Sequence, residues 1–235
     1  MDHRVAMLAC LLALLPVIFA QGTEDPAATT QVPERCCFPA SQFTISKSSS
    51  IGMVHQGARR FMGQVAILEE AHAAYDYNNS RIAALLTRRF INGYPEEHVQ
   101  LIEDLEEGTV WVIYPDEETC TKESSADYPF RAERCISEYG EYWGTTYMDD
   151  KAVYTNTWGI VIPYLPENPT NGVFSFSVGP NCIPHGETFA GKTTAWGVRQ
   201  QIVSSSGYYN YEEGIANPDK YFTVPDYCTE PVTEN

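Results

Sequence analysis

Six cysteines, spread from Cys36 to Cys228, decide how this chain can be held together. They are Cys36, Cys37, Cys120, Cys135, Cys182 and Cys228; a seventh, Cys10, lies in the N-terminal leader. An even count in an oxidising compartment reads as three disulfides. Six cysteines allow more than a dozen pairings, and spacing alone does not choose among them. Zinc would want paired Cys-x-x-Cys or Cys/His spacings, and the sequence has none. Cys36 and Cys37 are adjacent, so a bond between them would strain the geometry, and each is expected to reach a distant partner. Cysteines at both ends favour one stapled domain over two independent ones.

The N-terminus points to the compartment. Residues 1–4 are a short charged start, residues 5–19 an apolar run, and Ala20 a small residue before Gln21. That pattern predicts a cleaved secretory signal peptide and is too short for a membrane span. The expected organisation is a signal peptide at 1–20, a flexible lead rich in Thr, Ala and Pro at 21–35, a single domain at 36–230 and a tail at 231–235. No later stretch approaches the length of a transmembrane segment. The chain is therefore expected to be secreted and extracellular. Its formal net charge of −16 repels nucleic acid and anionic membrane. Such acidity would suit divalent cations or basic partners, and it also keeps a secreted protein in solution.

Most of the domain patterns as strands. TVWVIY at 109–114 is rich in β-branched and aromatic residues. In VFSFSV at 173–178, Phe174, Phe176 and Val178 alternate with Ser175 and Ser177, the period of a strand with one buried face. WGIVIPYL at 158–165 is apolar on both faces until Pro163 breaks it, and residues 200–211 look extended. The 15 Tyr, 16 Gly and 15 Pro favour many strands with frequent turns. Two stretches have spacings that also suit a helix. Residues 64–75 place Val65, Leu68, His72 and Tyr75 on one stripe, and residues 96–107 do the same with Val99, Ile102 and Leu105. Asn78-Asn79-Ser80 is a glycosylation sequon on Asn78 in a polar turn.

Residues 186–193, GETFAGKT, match the phosphate-cradling loop of nucleotide hydrolases letter for letter. That loop needs a buried strand before it and a helix after it, whose first N–H groups face the phosphates. Here Cys182 and Pro184 precede it, and Gly197 with a β-branched run follows. The match is expected to be a loop entering a strand. His55, His72, His98 and His185 are scattered singly, with His72 expected in the core. No His-Glu-x-x-His or Gly-x-Ser-x-Gly motif occurs. No catalytic residues are assigned, and metal ligands are not identifiable from the pattern.

The contexts of the cysteines carry a resemblance. CCFPASQF at 36–43, AAYDYNNSRIAAL at 73–85, EEGTVWVIYPDEETCTK at 106–122, GPNCIPHGETF at 179–189 and EGIANPDKYFTVPDYC at 213–228 occur in one order. In that order they resemble the ependymin family. The resemblance implies a mainly β fold: a strongly curved antiparallel sheet, a half-barrel similar to bacterial lipoprotein carriers, with a hydrophobic pocket and one or two short helices. It implies that Cys120 pairs with Cys228 and one of Cys36 and Cys37 with Cys182, leaving the other for Cys135. It also implies a secreted glycoprotein, often a homodimer, linked to calcium binding, cell–matrix adhesion and a hydrophobic ligand.

On such a sheet the pocket candidates are Trp111, Ile113, Trp143, Trp158, Ile160, Phe174 and Phe176. Aromatic residues at strand spacing are as a rule core, so each is also a candidate for plain packing. The expected function is non-enzymatic binding of a hydrophobic, lipid-like molecule. The alternative is a calcium-dependent extracellular matrix or cell–matrix adhesion glycoprotein.

Overall fold

Eleven strands, every neighbouring pair antiparallel, make up about two thirds of the described chain. The computed structural model describes residues 32–56, 62–91, 93–125, 134–148, 153–163, 170–195 and 198–229, and all structural statements concern these. The expected signal peptide, most of the lead and the tail at 231–235 lie outside them.

The strands are β1 (Gln42–Gln56), β2 (Met62–Asp76), β3 (Arg81–Phe90), β4 (Glu97–Asp104), β5 (Thr109–Tyr114) and β6 (Thr119–Ser124) in the first half. The second half holds β7 (Glu141–Met148), β8 (Val153–Ile162), β9 (Asn171–Val178), β10 (Pro184–Ala195) and β11 (Val198–Glu213). Each half is an up-and-down meander, and β1 pairs with β11 to fuse them into one sheet, ordered β6-β5-β4-β3-β2-β1-β11-β10-β9-β8-β7. The ends of the sheet are consecutive in the chain, so the segment between Ser124 and Glu141 must travel from one edge to the other.

Register sorts the side chains into two faces. On the inner face Phe43, Ile45, Lys47, Ser49 and Ile51 of β1 lie opposite Tyr75, Ala73, Ala71, Glu69 and Ile67 of β2. That face continues through Leu86, Val99 and Val112, which are buried. The outer face of β2–β5 carries Ala74, Ala83, Ile102 and Ile113. Two short C-terminal helices cover it, α1 (Pro218–Phe222) and α2 (Asp226–Thr229), with Tyr221, Phe222 and Tyr227 packing down. Asn217 caps α1 by accepting from the Lys220 N–H, and Pro218 begins it, where a missing N–H costs nothing. The side-chain amide of Gln100 donates to the Tyr221 carbonyl at 2.9 Å.

Residues 64–75, in β2, mimic a helix because exposed outer-face Leu68 and His72 fall by spacing between inward Val65 and Tyr75. The double cover explains why residues 96–107 do so and yet fall largely in β4. Val99 faces inward and Ile102 outward, and both are buried. When apolar residues occupy both faces, the period of two is hidden and a three-to-four spacing appears by accident. His72, expected in the core, is exposed on the outer face and shares a 2.9 Å hydrogen bond with Ser46. GETFAGKT lies wholly inside β10, with no helix behind it. Glu187 pairs with Phe176 and Ser206, and Lys192 with Asn171 and Gln201.

The turn between β2 and β3 holds the sequon. Asn78 is exposed there, and Ser80 closes the turn in a left-handed conformation at φ 52°. The chain made in a eukaryotic secretory host is expected to carry a glycan on Asn78. Peptide N-glycosidase should lower the mass of the wild type and leave Asn78→Gln unchanged. A mass shift in both would place the glycan elsewhere.

Candidate functional site: an inner-face cavity

Side chains from six adjacent strands, β8-β9-β10-β11-β1-β2, line one cavity of about 630 Å³ on the inner face. A sheet that encloses one volume from six strands is concave there. Bulges at Thr44/Ser46, Tyr142/Gly144 and Pro184/Gly186 interrupt the pairing and add local twist.

Cross-strand rows build the apolar wall. Trp158 lies opposite Phe176, and Ile160 opposite Phe174, which in turn lies opposite Phe189. Ile162 and Ile51 extend the wall. Phe38 closes over it, its ring centroid 6.2 Å from that of Phe176 and 5.2 Å from that of Phe43.

The mouth is stapled. Cys37 and Cys135 form a short antiparallel bridge, with the Phe38 N–H donating to the Arg134 carbonyl and the Ile136 N–H to the Cys36 carbonyl, each at 2.9 Å. The disulfides are Cys36–Cys182, Cys37–Cys135 and Cys120–Cys228. The first two resolve the alternatives left open by the sequence. Adjacent cysteines thus clamp two segments at once: the crossing segment at Cys135 and the β9–β10 turn at Cys182. Arg134, Cys135, Ile136 and Ser137 all line the cavity. The third bond ties α2 to β6 on the outer face.

A polar group sits within the cavity. Lys47 and Glu187 form an ion pair at 2.8 Å. The Tyr208 hydroxyl donates to the other Glu187 oxygen at 2.6 Å, and Ser206 donates to the carboxylate at 3.4 Å. Ser206 also shares a 2.9 Å hydrogen bond with Ser49. Burial, with the Glu187 charge beside it, pushes the Tyr208 phenol well above its usual range, so it stays a donor at neutral pH. Burial first, then the Glu187 and Glu103 charges, raises Tyr75 in the same way. Nearby on this face, buried Glu69 accepts from Arg88 at 2.8 Å, and Arg88 also reaches Glu97 at 3.3 Å.

Four of the seven expected pocket residues, Trp158, Ile160, Phe174 and Phe176, line the cavity. The other three do not. Trp111 and Ile113 are one residue out of phase with the inner face and pack beneath α1 and α2. Trp143 lies at the Tyr142/Gly144 bulge, nearly half exposed, with its ring over Gly159, where a Cβ would collide with it. The disagreement is one of face: both sides of β5 are apolar, and a bulge shifts the phase of β7.

No family model matches the chain. It is 26% identical over 166 residues to the development-specific protein LVN1.2 of Lytechinus variegatus, covering 68% of this chain and 86% of that protein. Among solved structures, an uncharacterized conserved protein from Thermus thermophilus aligns with TM-score 0.44 and 6% identity, over 80% of this chain and 87% of that one. A LolA superfamily protein from Nitrosomonas europaea aligns with TM-score 0.33 and 9% identity, over 80% and 92%. These structural likenesses are too distant to add to the topology. The sheet order and the cavity stand on the chain's own geometry.

Sequence reasoning missed Lys47, Ser49, Glu187, Phe189, Ser206 and Tyr208. Phe43, Ile45, Lys47, Ser49 and Ile51 do alternate in the sequence, and that signal was available. No local pattern says that Lys47 faces Glu187, 140 residues away across an intervening strand. Among the described residues, no group of three or more His, Cys, Asp or Glu side chains is placed to hold a metal ion. No described helix is long and apolar enough to cross a membrane.

Proposed function

We propose that this chain is a secreted, non-enzymatic protein of the ependymin family that holds a hydrophobic, lipid-like molecule in the inner-face cavity. The observation that carries this reading is the cavity itself. It has the volume of a small-molecule site, an apolar wall led by Trp158, Ile160, Phe174 and Phe176, and a few convergent polar groups. An acyl chain or ring system laid on that wall gains by leaving water, at about 25 cal/mol per Å² of apolar surface buried. Homodimerisation and N-glycosylation belong to the same proposal. The calcium-dependent matrix role rests on the acidic net charge and the family resemblance, with no observation of this fold behind it.

The chain should be purified from a eukaryotic secretory host and its mass compared under native and denaturing conditions, with extraction of whatever is released. A neutral fluorescent probe, N-phenyl-1-naphthylamine, should then be titrated into the delipidated protein. Uptake is expected. Ser204→Trp, which fills the cavity from β11, should weaken uptake by about tenfold or more while the fold is kept. A protein that carries nothing and ignores the probe would rule this reading out.

A further inference from the structure

A cavity for a purely apolar guest has no use for an ion pair. Even partial burial of two charges, here half-buried Lys47 and Glu187, costs desolvation that their attraction recovers only with good geometry and further hydrogen bonds. Here that geometry is present: Glu187 receives Lys47, Tyr208 and Ser206, and Ser49 extends the chain of hydrogen bonds. Register places Lys47, Tyr208, Ser206 and Glu187 in adjoining inner-face positions of β1, β11 and β10, beside the aromatic wall.

The charge balance limits what can bind. Glu187 is matched by Lys47, and Glu69 by Arg88, which Glu97 also shares. Among the described lining residues the other cation, Arg134, is exposed at the rim, where water and salt screen it. A carboxylate or phosphate entering beside Lys47 would find that ammonium already neutralised and the Glu187 carboxylate next to it. An uncharged oxygen meets no such repulsion. An ammonium has three donors, and Glu187 takes one, so an ether, ester or hydroxyl oxygen can use another, and a serine hydroxyl can accept in return.

We infer that the cavity selects an amphiphile with an uncharged, hydroxyl- or ester-bearing head, set on the Lys47–Glu187–Ser49–Ser206 group, over a fatty acid of the same chain. This rests on the proposal that the cavity takes a lipid-like guest.

Competition against N-phenyl-1-naphthylamine tests it, with monoolein and oleate as competitors, each kept below its aggregation limit at pH 7.5. In the wild type, monoolein should bind about tenfold more tightly than oleate or better. Glu187→Gln keeps the shape and leaves Lys47 unmatched, so oleate should gain about tenfold relative to monoolein. Lys47→Gln should push the oleate-to-monoolein ratio the opposite way, and the double variant should return it towards wild type. A merely structural role for the pair would move both competitors together. The inference is overturned if oleate binds the wild type as tightly as monoolein, or if the two single variants shift the ratio in the same direction. Loss of oleate binding in Arg134→Gln, with oleate preferred in the wild type, would also overturn it by placing the head at the rim. If the probe binds and only the discrimination is missing, the cavity proposal survives and this inference does not. If neither probe nor competitor binds, both fall.

Discussion

Replacing Cys36 and Cys182 together by alanine should lower the unfolding free energy by about 4 kcal/mol in the chain-entropy view, with a plausible spread of about 2–5. The size follows from topology. The two cysteines are 146 residues apart, but Cys37–Cys135 remains in the variant. With that bond in place, Cys36–Cys182 closes a ring that runs from Cys135 to Cys182, about 50 residues, and this shorter ring sets the loss of unfolded-state entropy. In a domain of this size the melting temperature should fall by about 10 °C. Cys182 also sits in a left-handed conformation at φ 58°, unusual for a residue with a Cβ, and the bond helps to hold it there. Because Cys36 and Cys182 frame the cavity mouth, probe affinity should drop even below the melting transition. Urea and thermal unfolding of the non-reduced proteins measure the effect. A change of less than about 2 °C would mean that the mouth holds without this crosslink.

The second large effect is expected at Asp76. This carboxylate is almost fully buried at the end of β2, where the ends of β1 and β3 meet. It accepts from the Gln42 amide at 2.8 Å, the Asn79 side chain at 2.7 Å, the Asn79 N–H at 3.3 Å and Arg81 Nε at 3.0 Å. Asp76→Ala strips the acceptor from four donors and should cost about 2–4 kcal/mol; Arg81 is partly exposed and can rehydrate, which keeps the loss from being larger. The same site should show in the acid limb. Burial pushes the carboxyl upward, but the hydrogen bonds from Asn79, Gln42 and Arg81, with the Arg81 charge, outweigh it and hold Asp76 below its ordinary value. A depressed folded value means that the stabilisation is fully present above the unfolded value, about pH 4, and is lost as pH falls through the folded one. Glu70 and Glu96 are also held low, chiefly by hydrogen bonds from Tyr209 and Arg89, but both lie near the surface and should contribute less. Urea midpoints measured from pH 7 to about pH 2.5 should therefore fall less steeply below about pH 4 in Asp76→Ala than in the wild type. Parallel curves would remove Asp76 from the account of acid lability.

Individual strands were legible to different degrees, and the reason is which faces are covered. β9 was plain because Phe174 and Phe176 face the cavity while Ser175 and Ser177 lie on the other face. β5 was plain as a strand because TVWVIY is β-branched and aromatic throughout, yet its facing was not. Val110 and Val112 are buried on one side and Ile113 on the other, so a choice of pocket residues from β5 had no local signal to follow. β4 was obscured in the same way, by helices α1 and α2 that come from the far end of the chain, and β2 by apolar Leu68 standing exposed on its outer face.

By itself the sequence determined the β-rich class, the six cysteines free to crosslink, the turn at Asn78 and the alternation that puts Phe174 and Phe176 on one face. These are local properties: propensity, spacing of two, and residues that can only sit in turns. Tertiary structure alone decided that β1 pairs with β11, that Cys36 takes Cys182 while Cys37 takes Cys135, and that Lys47 meets Glu187 inside an aromatic cavity. Each of these joins segments about 100 or more residues apart, and such closure is set by the packing of whole sheet faces, to which no short stretch of sequence has access.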